Sequence, residues 1–368
     1  RGIVTGGNDP YLEANQNYSE NSSYSPIEVT STSFKLTATG NYVNGSGNSY
    51  IYLAVRRSDG YVGKPPSAGT DVFAMDTGNS SSTGPAFDSN FVVDSALLQQ
   101  PNTAGLDWRF SQRLTGTQSL ATNTDAAETT ESSNTSDYND GFADSYTNVW
   151  QSWMWKRGQG FDSVAWTGDD VVGRSIPHSL NAVPEMIWVK CRSAQEPWAV
   201  YHHGANGGTT PWNYYLKLNT NSSNNTNPYM WNQTAPTSTD FQVIADNMVN
   251  GASNTYIAML FSSVAGISKC GYHTCDAGNT TLTMDFQPRF LLLKNISSGS
   301  TPWVVIDSLR GINPGVGVNT PTINISGDSV QSNYTWVNSI SSTGLVITAG
   351  QGSRFSNDGD SFIWYAHA

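Results

Sequence analysis

The chain has 368 residues, of which 37% are hydrophobic and 12 are Trp, so it can bury a sizeable core and is globular. A formal net charge of −11 and a pI near 4.7 exclude nucleic acid as the expected partner, because phosphate binding needs a concentrated cationic face. No apolar run approaches a membrane span, so no membrane insertion is expected, and the low charged fraction with abundant Gly, Ser, Thr and Asn disfavours long ion-paired helices.

Taken in order, the chain opens with RGIVTGGNDPYLEANQ, which aligns with RGINPGVGVNTPT at 310–322, so that Arg1 answers to Arg310. It then reaches YIYLAVRRSDGY at 50–61. Ile51, Leu53 and Val55 fall on one face and Tyr50, Tyr52 and Ala54 on the other, and this two-sided apolar pattern predicts a central strand covered on both sides. The stretch recurs as WQSWMWKRGQGF at 150–161, YIAMLFSSVAGI at 256–267 and FIWYAHA at 362–368, spaced by 100, 106 and 106 residues. A unit of roughly a hundred residues therefore repeats. Asn44-Gly45, Asp140-Gly141, Asn250-Gly251 and Asp358-Gly359 precede the four copies, and such dipeptides predict that each central strand is the second arm of a hairpin. Residues 1–60 are thus expected to be the C-terminal half of a truncated repeat, completed by a cleaved upstream fragment, a neighbouring subunit or an adjacent domain.

Residues 61–87, with paired prolines and a Ser/Gly run, read as a linker. Three repeats follow, 88–160, 161–266 and 267–368. Each carries a second signature: FVVDSALLQQ (91–100) with Trp108, PEMIWVK (184–190) with Trp198, and PRFLLLK (288–294) with Trp303. Asn-Thr pairs come next, at Asn123-Thr124, Asn219-Thr220 and Asn319-Thr320. The polar stretch 122–140 reads as a long surface loop. The expected fold is all-β, tandem antiparallel β-sandwich modules of lectin-like jelly-roll type.

GFDSVAWTG, IPHSLNAVPEMIWVKCRS, WAVYHHG, LNTN and NTYIAMLF, in that order, resemble a repeat of unknown function found in virion proteins of marine tailed phages, notably those infecting cyanobacteria. The resemblance covers essentially the whole chain and is best in 161–266. It implies a tail-fibre-like or other virion surface protein, assembled in the host cytoplasm, with lectin-like modules and no known enzyme activity. It also implies partners: copies of the chain itself in a homo-oligomer such as a trimer, and other virion proteins. A bacterial extracellular adhesin or surface-filament subunit is the rival reading, and a polysaccharide-degrading enzyme the third. The first full unit departs from the pattern by placing Gln99 and Gln100 where Lys190 and Lys294 stand elsewhere, which argues against a functional role for that lysine.

No catalytic constellation, cofactor site or metal set is expected. The chain has seven Glu, and GxSxG and HExxH are absent. A retaining glycosidase needs carboxylates about 5 Å apart, which no acid pair on a core strand supplies. His178 is expected to cap a turn and His202-His203 to end a strand, and NDGD at 357–360 reads as a turn rather than a calcium loop. Cys191, Cys270 and Cys275 point to free thiols, although Cys270 and Cys275 could bridge the arms of a hairpin. Trp108, Trp198 and Trp303 repeat and belong to the core. Trp212 with Asn213 and Tyr214, Trp231, and its counterpart Trp336 lie in variable segments. Exposed aromatic rings beside amides are what sugar binding requires, so these five are the candidate residues for binding host-surface glycans.

Overall fold

The computed structural model describes residues 66–227 and 229–368, together with the short stretches 11–13, 17–19, 21, 26–29, 34–38, 40 and 43–53. The chain from 66 onwards builds three six-stranded antiparallel sheets with one strand order. The first runs Phe73–Thr77, Gln151–Trp155, Ser95–Gln99, Arg109–Gln112, Gln118–Leu120, Thr129–Thr130. The second runs Phe161–Thr167, Thr255–Phe261, Met186–Cys191, Ala199–His202, Tyr214–Lys217, Asn225–Thr226. The third runs Ser268–Thr274, Ser361–His367, Phe290–Asn295, Val304–Asp307, Thr320–Asn324, Ser332–Tyr334. Among the described residues the only helical elements are four short 3-10 turns.

The recurrent apolar stretch closes each unit as a strand laid between the unit's first two. Gln151, Ile257 and Ile363 stand opposite Gln99, Lys190 and Lys294, which makes Trp150, Tyr256 and Phe362 equivalent. The expected local hairpin is therefore corrected: the central strand pairs with strands from much earlier in its unit, and the preceding Gly-containing turn only redirects the chain. Residues 50–53 form no strand, and 54–60 lie outside the described residues. The segment read as a linker contributes Phe73–Thr77, the edge strand of the first sheet. The stretch 122–140 is not purely a surface loop either, because buried Asn134 accepts from Tyr146 Oη and donates to Ser111 Oγ.

The two-sided apolar pattern finds two destinations. Trp153, Trp188, Met259, Leu292 and Tyr365 point inwards from the three sheets into one shared core. The alternate set, including Leu98 and Met154, Val189 and Tyr256, and Leu291 and Trp364, forms a separate outer core in each unit. Each outer core is covered by a smaller sheet: Phe87–Asp88 with Gly141–Phe142, Arg174–Pro177 with Asp240–Val243, and Thr280–Thr283 with Gly344–Ile347 and Val337–Ser341. Six strands against two or three make an unequal sandwich, not the matched sheets of a jelly roll.

Three equivalent bonds tie the sheets in a cycle. Trp198 Nε1 donates to Ala121 O (2.9 Å), Trp303 Nε1 to Lys217 O (3.0 Å) and Trp108 Nε1 to Asn324 O (2.9 Å). A second cycle is wholly backbone: Glu128 N to Arg192 O (2.8 Å), Asn224 N to Ile296 O (3.2 Å) and Gln331 N to Pro101 O (2.7 Å). First meets second, second meets third and third meets first. The units therefore form a closed ring around the common core, with internal three-fold pseudosymmetry.

Candidate functional site

What all three units share serves the architecture. Asn123 Oδ1 and Asn219 Oδ1 accept from the backbone N–H of Trp108 and Trp198, orienting each indole towards the next sheet. In the last unit Ser326 Oγ does this for Trp303, so Ser326, not Asn319, is the counterpart of the two asparagines. Lys190 and Lys294 are fully buried. Lys190 Nζ donates to Cys191 O (2.7 Å) and, across the junction, to Asp125 O (3.1 Å). Lys294 Nζ donates to Thr301 O (2.6 Å) and Asn221 O (3.3 Å). At the third junction, where Gln99 replaces the lysine, Gly105 N donates to Asp328 O (2.9 Å). Burial lowers the two ammonium groups to about 8 and about 7 respectively. Their role is to satisfy carbonyls between sheets.

The histidines behave alike. His178 Nδ1 accepts from Leu180 N (3.3 Å), closing the turn before the Met186–Cys191 strand, and burial holds its pKa below the ordinary value. His202 ends its strand, accepting from Gly204 N (3.0 Å) and donating through Nε2 to Trp364 O (3.3 Å) of the next unit. The three cysteines are free and buried. Burial raises the Cys270 thiol well above its ordinary value, which disfavours the thiolate form.

Differences between units fall on the connection that follows the Trp-led strand: 113–117, 203–213 and 308–319. Only the second carries a Trp. There Gly204 and Gly208 form a floor on which Tyr272 of the next sheet lies. A Cβ at Gly204 would come within 2.3 Å of Tyr272 Cβ, and one at Gly208, where φ is +81°, within 2.7 Å of its Oη. Tyr272 remains 46% exposed, with the His203 ring edge-on to it at 5.5 Å. By register its counterparts are Thr77 and Ala165, so this ring is peculiar to one junction. His203 Nδ1 lies 3.9 Å from Glu185 Oε1, and burial, the larger influence, lowers the imidazole pKa against the carboxylate's pull. On the same connection Trp212 is half-buried against the second outer core. Asn213 Oδ1 is buried with no hydrogen-bond partner among the described residues.

Of the five candidate residues, Trp212 and Asn213 sit on this connection, Trp212 half-buried against the second outer core and Asn213 with its Oδ1 buried. Tyr214 is half-buried at a strand start, and its carbonyl accepts from Trp231 Nε1 (3.0 Å). Trp231 (2% exposed) and Trp336 (0%) are core residues, contrary to the expectation of exposed rings. Trp231 packs on Tyr201, and Trp336 stacks on Phe355 at 4.6 Å with its Nε1 donating to Thr322 Oγ1. Sequence reasoning missed Tyr272. Its only signal was a large aromatic in the polar KCGYHT run, which the Gly204-to-Gly208 loop makes legible only in space.

Fold and surface together define a closed, three-unit all-β protein with one differentiated loop junction. Residues 72–368 match the model of a domain of unknown function, DUF7483, and the chain belongs to that family. No curated protein matches the chain.

Proposed function

We propose that the chain is a non-enzymatic virion structural protein of tail-fibre or capsid-decoration type that attaches to host-surface glycans through the second unit's loop junction. The observation that carries this is the second unit's distinctive 203–213 connection, on which exposed Tyr272 lies over Gly204 and Gly208 and which carries the half-buried Trp212. An exposed phenol and a half-buried indole offer apolar faces to a pyranose, while the exposed side chain of Asn206, whose Nδ2 is held by Thr209 O, presents its amide oxygen to hydroxyls. The sequence resemblance to phage virion repeats supports the setting, and the ring's rigid mutual bracing suits a surface exposed to shear. The test is a glycan array followed by calorimetry on the full chain. Tyr272→Ala and Trp212→Ala should each weaken glycan binding by about tenfold, as expected for loss of one stacking ring, with the melting temperature nearly unchanged for Tyr272→Ala and lowered for Trp212→Ala, whose indole packs partly on the outer core. Absence of any glycan binding, or equal binding by the variants, overturns the reading, and release of reducing ends from a polysaccharide would make the protein an enzyme instead.

A further inference from the structure

The connection 203–213 carries a reactive pair that the architecture does not require. Asn206 is followed by Gly207, and the chain has two further Asn-Gly pairs, Asn44-Gly45 and Asn250-Gly251. In such a pair the backbone nitrogen of the glycine can attack the asparagine's own side-chain amide, because no Cβ on the following residue stands in the way. Where nitrogen and amide are both held, the attack is blocked. Asn250 is fully buried, its Nδ2 donates to Asp169 Oδ1 (2.8 Å) and Val171 O (3.1 Å), and its Oδ1 accepts from Arg174 Nη1 (3.0 Å). Gly251 N in turn donates to Tyr256 Oη (2.7 Å). Asn44 is exposed, but Gly45 N is held in the same way by Tyr50 Oη (2.8 Å). Asn206 differs from both. It is exposed, and among the described residues its side chain makes one hydrogen bond, from Nδ2 to Thr209 O (3.0 Å). A Cβ placed at Gly207 would meet nothing within 4 Å, so there is room for the reaction.

We propose that Asn206 is a self-modifying site whose rate is set by Tyr272. Gly207 N bonds to Asn206 Cγ, the side-chain nitrogen leaves as ammonia with the proton lost from Gly207 N, and water opens the resulting cyclic imide. Breaking the new bond to Cγ leaves Asp, and breaking the bond to the backbone carbonyl carbon leaves an isoaspartyl link with a methylene added to the main chain. Either product puts a negative charge on the junction. The fold decides when this happens. Asn206 has φ 53° and ψ 37°, a left-handed conformation in which the Gly207 nitrogen points away from the Asn206 side chain. Attack therefore waits for the turn to open, as local segments of folded chains do. Two contacts hold it shut: Thr209 N donates to Asn206 O (3.2 Å), and the Tyr272 ring lies across Gly204 and Gly208, on either side of the pair. The phenol is thus a latch, and the modification records how often this loop opens. The inference stands whether or not the junction binds glycan.

Peptide mapping by mass spectrometry tests it, on the full chain kept folded in mildly alkaline buffer and sampled over time. The mass gain of amide-to-acid conversion should appear first in the peptide carrying Asn206, as two separable products, while Asn250 stays an amide. In Tyr272→Ala the gain should come about fivefold faster, as expected when a packed ring no longer restrains a local opening. Asn250 should still be intact there, which shows that the ring of units remains folded. Tyr272→Phe keeps the packed ring and should keep the wild-type rate. No gain at Asn206, conversion at Asn44 or Asn250 that outpaces it, or an equal rate in Tyr272→Ala overturns the proposal.

Discussion

The indole nitrogen of Trp303 lies 3.0 Å from the carbonyl oxygen of Lys217, a residue of the preceding sheet 86 positions earlier. Trp303 is 1% exposed, so its indole covers that carbonyl, and among the described residues no other side-chain donor reaches it. Trp303→Phe keeps most of the apolar volume and removes the donor. The expected loss is about 1–3 kcal/mol, the cost of an orphaned buried acceptor. Because the three sheets share one core, denaturant unfolding should remain a single transition with a lower midpoint. Two separated transitions in the variant would show that the units fold independently.

The junction lysines give a dependence on pH with a definite sign. In the unfolded chain Lys190 and Lys294 keep their protons up to about 10.5, while in the ring they lose them near 8 and 7. Between those limits the unfolded state binds more protons, so stability rises with pH. The cost of burying the two ammonium groups is fully present below about pH 7 and fades as the pH rises towards about 10.5. The urea midpoint should climb across that window, and Lys294→Met should flatten the climb; an unchanged slope in Lys294→Met would clear the lysine of responsibility.

Buried imidazoles set the acid limit. Desolvation lowers His273 to about 4 and His367 to about 3, and holds His202 well below 6.5. Each is neutral in the ring and takes up a proton on unfolding once the pH falls below about 6.5, so stability is lost progressively from there downwards. His367→Gln should reduce the fall in melting temperature between pH 6.5 and 4 relative to wild type. A fall of the same size would assign acid unfolding to the carboxylates.

Gly204 offers a probe of the junction. Its φ is −87°, so Ala is conformationally acceptable there, yet the added methyl would strike Tyr272. Gly204→Ala should cost about 1–3 kcal/mol, as overpacking does, and should weaken glycan binding by displacing the phenol. Retained affinity would detach Tyr272 from the binding surface.

Much of this architecture was legible in the sequence. The doubly apolar strands led by Trp150, Tyr256 and Phe362 and the recurring Trp108, Trp198 and Trp303 announced an all-β repeat with a two-sided core, because period-two alternation is set by the strand itself. The ring was not legible, since nothing local in LNTN or NISG says that Lys217 and Asn324 present their carbonyls to an indole from another unit. Burial of Trp231 and Trp336 depends on the small outer sheets, whose short polar strands look like loop in sequence. Nothing local in the RG at 310–311 signals a partner. In space Arg310 pairs with buried Asp307 at 2.7 Å, and Trp153 of the first sheet donates to the same carboxylate at 3.0 Å. That pairing braces the third sheet against the first, a contact between residues over 150 positions apart.

Closure also removes any privileged starting point. Ala368 lies against Gly69, so close that a Cβ there would come within 2.4 Å of the Ala368 carbonyl oxygen. Residue 69 and residue 368 therefore meet at one seam, where a short peptide could join them, and the chain could instead be opened between the first and second units without breaking any of the cyclic hydrogen bonds. Covalent order, in such a molecule, is separable from the order of contacts. A unit could in principle be threaded first, second or third and still find the same two neighbours.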